Sequence, residues 1–378
     1  MGKNKSIYNF KILLHVILLN DVVYTGRGTP NVSLIKYWGK RDEELILPYN
    51  SSISMTLDWE TQTVLGKQFK LFTKTSVIFS DRLSEDVIYM DGAKMDPKDP
   101  EAVECFKVIN ILRETAKKNS RVMIVTENTF PVASGLASSA SCIATLVYTA
   151  SVALDLKLDD KNLSIIARIG SGNACRSILG GIVKWEKGSS KDGSDSYSHV
   201  LHTLDYWPEL LDLVVVVSQS AKKEDSRVGM ANTVATSDLY KKRLEVVDGY
   251  ITELEKALKE KDFDLLSKVV MKDSNNTHAV MLDTTPPILY LNDISRNIIG
   301  AINQINKDKG KNVCAYTFES GPNPHIITTE QYKEEVIDRL IKVEGMQSLI
   351  SAKLGNGPIL LGDSESLINK DNLQPIKH

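Results

Sequence analysis

Cysteine is scarce in this chain of 378 residues. The four present, Cys105, Cys142, Cys175 and Cys314, are scattered with no CxxC pair. That pattern suggests neither a disulfide framework nor a thiolate zinc site, and it fits a reducing compartment, with the cytosol as the expected location. The six histidines show no HExxH or other paired metal spacing, and the sequence predicts no resident metal site. No apolar run is long enough to span a bilayer. The run Ile12–Leu19 is short and predicts a buried strand, and the Met1–Ser6 match to a myristoylation pattern is too short to decide anything. Charge of one sign is also lacking. A net charge of −2 argues against a general nucleic-acid binder, so any attraction for an anionic ligand has to come from a local cluster. There is no internal repeat and no low-complexity tract.

What is present is an ordinary globular composition, 42% hydrophobic and 25% charged, in a chain long enough for two cores. Strands are predicted over 61–90, 121–126, 213–218, 313–318 and 325–328. Helices are predicted over 101–118, after residue 138, over 288–307, and along Leu244, Val247, Ile251, Leu254 and Leu258 at spacings of three and four. Elements of one kind cluster rather than alternate, which reads as α+β. The Gly/Ser-rich segment 187–197 is a surface loop near which a domain boundary is expected. The chain is accordingly divided into 1–200 and 201–378.

Four segments carry chemistry. PVASGLASSA (131–140) places Gly135, Leu136, Ala137, Ser138 and Ser139 where a loop of small residues opens a helix. It suits a phosphate cradle or, equally, a closely packed helix start; with no Gly-Lys-Ser/Thr it is not a Walker loop. NVSLIKYWGKR (31–41) concentrates Lys36, Lys40 and Arg41 beside Tyr37 and Trp38, either an anion pocket with an apolar wall or a strand with solvated lysines. In IGSGNACRSILGG (169–181) the long cation Arg176 stands among small residues, which predicts a specific partner: a ligand carboxylate or phosphate, or a structural acid. In FESGPNP (318–324) Glu319 sits between a strand and a Gly-Pro-Asn turn, a common place for a reactive carboxylate and also for a solvated one. Together the four suit phosphoryl transfer, in which a protein mostly positions groups and neutralises charge.

These segments, with DSRVGM, MKDSNNTH and LDTTPPILYLN, resemble the diphosphomevalonate decarboxylases of the GHMP-kinase superfamily over about Thr29–Thr328. The resemblance implies two α+β domains around a deep cleft, with MgATP and mevalonate diphosphate as ligands. It also implies release of CO2, ADP and phosphate with isopentenyl diphosphate, and a homodimer. Carried over residue by residue, Ser138, Ser139 and their loop hold the ATP phosphates. Tyr37, Lys40, Ser171, Ser226 and Arg227 hold the diphosphate or position the substrate, with Trp38, Lys36, Gly172 and Asn173 lining the same site. Arg176 holds the substrate carboxylate, Asn31 fixes Arg176 or that carboxylate, and Glu319 is the catalytic carboxylate. Three positions depart from the family pattern: Glu319 stands for Asp, Ser320 for Ala and Asn173 for Ser. Those departures leave open a kinase that stops before decarboxylation, or a weakly active binding paralogue.

Overall fold

The computed structural model describes residues 21–66, 68, 70–130, 138–217 and 225–376. The predicted strand at Ile12–Leu19 lies outside them.

Three large sheets, with two further two-stranded ones, organise these residues. The first has six strands in the order Ile359–Leu360, Tyr24–Gly28, Thr73–Ser80, Arg121–Asn128, Val87–Met90 and Ala93–Lys94. Thr73–Ser80 runs antiparallel to both of its neighbours, and Val87–Met90 lies parallel to Arg121–Asn128. Helices Pro100–Ala116 and Ser138–Ala153 pack on this sheet through a core that includes Val77, Val108, Leu112, Ile124, Leu146 and Val147. The second helix lies very close to the strand Tyr24–Gly28. A Cβ on Gly26 would fall 2.1 Å from Thr149 Oγ1, and one on Gly28 would fall 2.3 Å from Thr145 Oγ1. Only glycine permits that approach.

The second sheet is antiparallel: Ser198–His202, Ile182–Trp185, Ser52–Thr56 and Asn31–Ile35. The loop over 187–197 joins two neighbouring strands of this sheet, so it is a hairpin connection. It is pinned from below by the buried Arg168, which donates to the carbonyls of Gly193 and Ser196. A cut at residue 200 would pass through the strand Ser198–His202.

The third sheet runs Cys314–Phe318, Pro324–Thr329, Leu210–Val216, Ser348–Lys353, Gln62–Gly66. Its middle strand LLDLVVV is buried at every position, as an apolar run walled on both faces should be. Two segments cross between halves. Gln62–Gly66 forms the edge of this C-terminal sheet, and Ile359–Leu360 returns to pair with Tyr24–Gly28. Helices Asp238–Glu260 and Phe263–Leu282 form a hairpin through Lys261, in the left-handed region at φ 52°, and Asp262, whose side chain accepts from the Leu265 N–H. The helix expected over 288–307 spans Asp293–Lys309. Asn292 caps it by accepting from the Ser295 N–H, which fixes a later start than apolar spacing indicated. Among the described residues, no helix is long and apolar enough to cross a membrane.

Candidate active site

The strand Asn31–Ile35 is buried throughout and delivers Lys36, Tyr37 and Trp38 to a cleft. Asn173, Ser226, Met230, Thr277, Met281, Phe318, Glu319 and Ser320 complete its lining, around an open space of about 370 Å³. Gly39 follows at φ 95°, and a Cβ there would strike the Tyr240 hydroxyl at 1.9 Å. Trp38 is oriented by its indole N–H donating to Thr233 Oγ1 at 3.0 Å, and the Tyr37 ring lies 4.8 Å from that of Trp185. A Cβ on Gly172 would fall 2.7 Å from the Tyr37 ring, so this glycine lets the aromatic wall sit against the ACRS turn.

Glu319 follows the strand Cys314–Phe318. Its Oε1 accepts from the Ser33 N–H at 2.8 Å and from Lys36 Nζ at 2.8 Å. Burial alone would raise this carboxyl's pKa. The Lys36 charge and hydrogen bond, with the Ser33 N–H, outweigh burial and hold it down at about 2. Lys36 is itself fully enclosed and its pKa is lowered, because one carboxylate does not offset the desolvation of its ammonium. The two shifts pull the pair's protonation in different directions. The 2.8 Å contact and the extra peptide N–H on the carboxylate side favour the ionised pair. Both bonds go to Oε1, and Glu319 lines the cleft. The turn behind Glu319 is fixed by Asn323, whose Oδ1 accepts from the Val217 N–H, and by Ser295, which donates to the Pro322 carbonyl.

Lys36 lines the cleft with Tyr37 and Trp38, and its ammonium donates to Glu319 and to the Ser33 carbonyl. Lys40 is likewise paired, with Glu43, and does not line the cleft.

Arg176 is completely buried, yet no carboxylate lies within ion-pair distance of it among the described residues. Its guanidinium donates to Ser52 Oγ, to Ser33 Oγ at 2.7 Å, to Asn173 Oδ1 at 2.9 Å and, at 3.4 Å, to Asn31 Oδ1. Asn31 is in turn held by donating to Ser177 Oγ and to the Asn173 carbonyl. Burial lowers the Arg176 pKa, with Cys175 and Glu319 acting the other way. A buried guanidinium surrounded by neutral oxygens is electrostatically incomplete, and an anion beside it would be bound strongly. Asn173 does not crowd the guanidinium but accepts from it.

Arg227 stands at the start of helix Ser226–Thr236, partly exposed. It donates to Glu104 Oε1 at 3.1 Å and to the Gly170 carbonyl at 3.5 Å, one residue before Ser171. Of the phosphate loop, Gly135, Leu136 and Ala137 lie outside the described residues. Ser138 and Ser139 open helix Ser138–Ala153, whose first turn carries no acidic side chain. That end suits phosphate oxygens. Among the described residues, no three His, Cys, Asp or Glu side chains converge on a metal position. Magnesium carried on nucleotide phosphates takes its ligands mainly from the phosphates and water, with only one or two carboxylates from a protein.

Sequence reading missed three members. Ser33 acts through its backbone and hydroxyl, and nothing in its residue type announces that. Arg243 and Asp273 form a fully buried ion pair at 2.9 Å. Their signal was there: each interrupts an apolar stripe, Arg243 between Tyr240 and Val247, Asp273 between Val270 and Thr277.

Fold and site together define a two-domain α+β protein with a polar cleft lined from both halves. Residues 28–198 match the diphosphomevalonate decarboxylase-like N-terminal domain and residues 212–354 the mevalonate 5-diphosphate decarboxylase C-terminal domain. The chain belongs to the diphosphomevalonate decarboxylase family. It is 38% identical to the diphosphomevalonate decarboxylase of Debaryomyces hansenii, across 93% of this chain and 98% of that one. The crystal structure of mevalonate diphosphate decarboxylase from Staphylococcus aureus superposes with a TM-score of 0.80 at 36% identity, covering 90% of this chain and 98% of that one. A structure of MDDEF in complex with MVAPP, AMPPCP and magnesium superposes at 0.79 with 33% identity, covering 90% and 99%.

Proposed function

We propose that this chain decarboxylates mevalonate 5-diphosphate at the expense of ATP, with Arg176 and Glu319 at the reacting end of the substrate. The 3-hydroxyl oxygen bonds the γ-phosphorus as the bridging bond to ADP breaks and the hydroxyl loses its proton. The C3–O bond then breaks with loss of phosphate, the C1–C2 electron pair becomes the C2–C3 double bond, and CO2 leaves. Magnesium bound with the nucleotide supplies charge neutralisation at the transferring phosphoryl group.

The observation that carries this reading is the buried Arg176, with no carboxylate within ion-pair distance among the described residues, in the same hydrogen-bonded network as an ionised Glu319. Arg176 supplies the fixed cation against which the substrate carboxylate is oriented, with Asn31 and Asn173 holding its fork. Glu319, with a pKa of about 2, is a weak base. Its best-supported role is to orient the 3-hydroxyl and stabilise positive charge at C3 as phosphate departs. Tyr37, Ser171, Ser226 and Arg227 position the diphosphate end, and the helix start at Ser138 and Ser139 with its preceding loop takes the ATP phosphates. The protein works in the cytosol as a homodimer.

The test supplies MgATP and mevalonate diphosphate labelled at the carboxyl carbon and follows ADP and CO2 together. Equal release is expected. ADP without CO2 would make the chain a 3-hydroxyl kinase. Neither product, with both ligands bound, would make it a binding paralogue.

A further inference from the structure

The peptide of Lys36 has both polar groups taken by one ion pair. Asp273 Oδ2 accepts its N–H at 2.8 Å, and Arg243 Nη2 donates to its carbonyl at 3.0 Å. The pair closes on itself, Arg243 Nη1 to Asp273 Oδ1 at 2.9 Å, and both side chains are completely inaccessible. Asn50 Nδ2 donates to the same carbonyl at 2.9 Å, and Asn276 Oδ1 accepts from Arg243 at 2.8 Å. Neither charged residue lines the cleft. They come from helices Asp238–Glu260 and Phe263–Leu282 of the C-terminal half, whereas Lys36 belongs to the N-terminal half.

A buried ion pair is seldom worth more to stability than well-packed apolar residues, because two charges must be stripped of water. One whose ends both turn to the backbone of a single residue has a geometric use. We infer that Arg243 and Asp273 are positioning residues: they clamp the Lys36 peptide so that its ammonium meets Glu319 Oε1, and thereby fix that carboxylate in the cleft. The route is short. Clamp holds peptide, peptide aims Nζ, and Nζ with the Ser33 N–H holds Oε1. The inference rests on Glu319 being the reacting carboxylate.

The test compares wild type, Asp273→Asn, Arg243→Lys and Glu319→Gln in the full chain with MgATP and mevalonate diphosphate. Misplacing a reacting group by about 1 Å costs on the order of 100-fold. Asp273→Asn leaves Arg243 buried without its carboxylate, so its thermal transition is expected to fall, while the folded variant keeps a KM within about threefold and its kcat falls about 10- to 100-fold. Its kcat–pH profile should also gain an acid limb absent from wild type, because Glu319 loses Lys36. The other ionisable groups around that carboxylate stay in place: Arg176, His325 held by Asp212, and His278 against Phe318. Unchanged kcat would overturn the inference, and so would a raised KM at constant kcat, which assigns the pair to binding. Failure of both variants to fold would assign it to stability and overturn it too. If Glu319→Gln keeps the wild-type rate, the reading of Glu319 itself fails, and the clamp loses its route to the chemistry.

Discussion

Glu319 shows how much one side chain's surroundings decide. Its folded pKa, about 2, lies below the ordinary 4.5, so the folded state holds this proton less tightly than the unfolded chain does. The stabilisation is complete above about pH 4.5 and is lost as pH falls toward 2, on the order of 3 kcal/mol. Glu319→Gln cannot titrate. Denaturation curves between pH 5 and 3 should therefore show wild type losing more stability than the variant across that window. Glu319 Oε1 reaches both the Ser33 N–H and Lys36 Nζ at 2.8 Å. Residues whose type advertises chemistry, such as Arg176 among small neighbours or Glu319 before Gly-Pro-Asn, were legible in the sequence. That Lys36 spends its charge on Glu319 was not, because a lysine in a basic cluster reads the same whether it faces a ligand or an acid brought from 283 positions away.

Among elements, the contact of helix Ser138–Ala153 with the strand Tyr24–Gly28 links packing to ligand binding. Thr145 and Thr149 fold their hydroxyls back onto the carbonyls of Ser141 and Thr145, and the two glycines of the strand receive them. The same helix begins at the serines assigned to nucleotide phosphates. Gly26→Val should push the helix outward, costing about 1–3 kcal/mol as an overpacked contact. It should also weaken nucleotide binding measured by titration, while CO2 release at saturating nucleotide falls less. Helix and strand identities were largely legible from periodicity, as with the stripe Val247, Ile251, Leu254 and Leu258, all buried. Boundaries were not. The start at Asp293 is set by the reciprocal Asn292–Ser295 cap, and apolar spacing carries no trace of it.

At the scale of the molecule, the two halves are interlocked. The strand Gln62–Gly66 completes the C-terminal sheet, and Ile359–Leu360 completes the first sheet. Fragments 1–200 and 201–378, expressed separately, should each lack a cooperative unfolding transition, and mixing them should restore one; calorimetry would show it. The expected boundary at 200 came from the Gly/Ser-rich loop, whose composition reports exposure. That loop is a hairpin within one sheet. The crossing strands are short or ordinary in composition, and their pairing partners lie hundreds of residues away, beyond what local pattern encodes.

The return of Ile359–Leu360 to Tyr24–Gly28 also sets a schedule for synthesis. Among the described residues, the first sheet has one flank that the late segment Ile359–Leu360 covers. At translation rates of about 5–20 residues per second, that flank waits roughly 20–60 s with its peptide groups unsatisfied. The nascent protein therefore passes through a long interval in which its N-terminal half is nearly built yet open to pairing with the wrong chain, and ribosome-associated chaperones have the most to protect there.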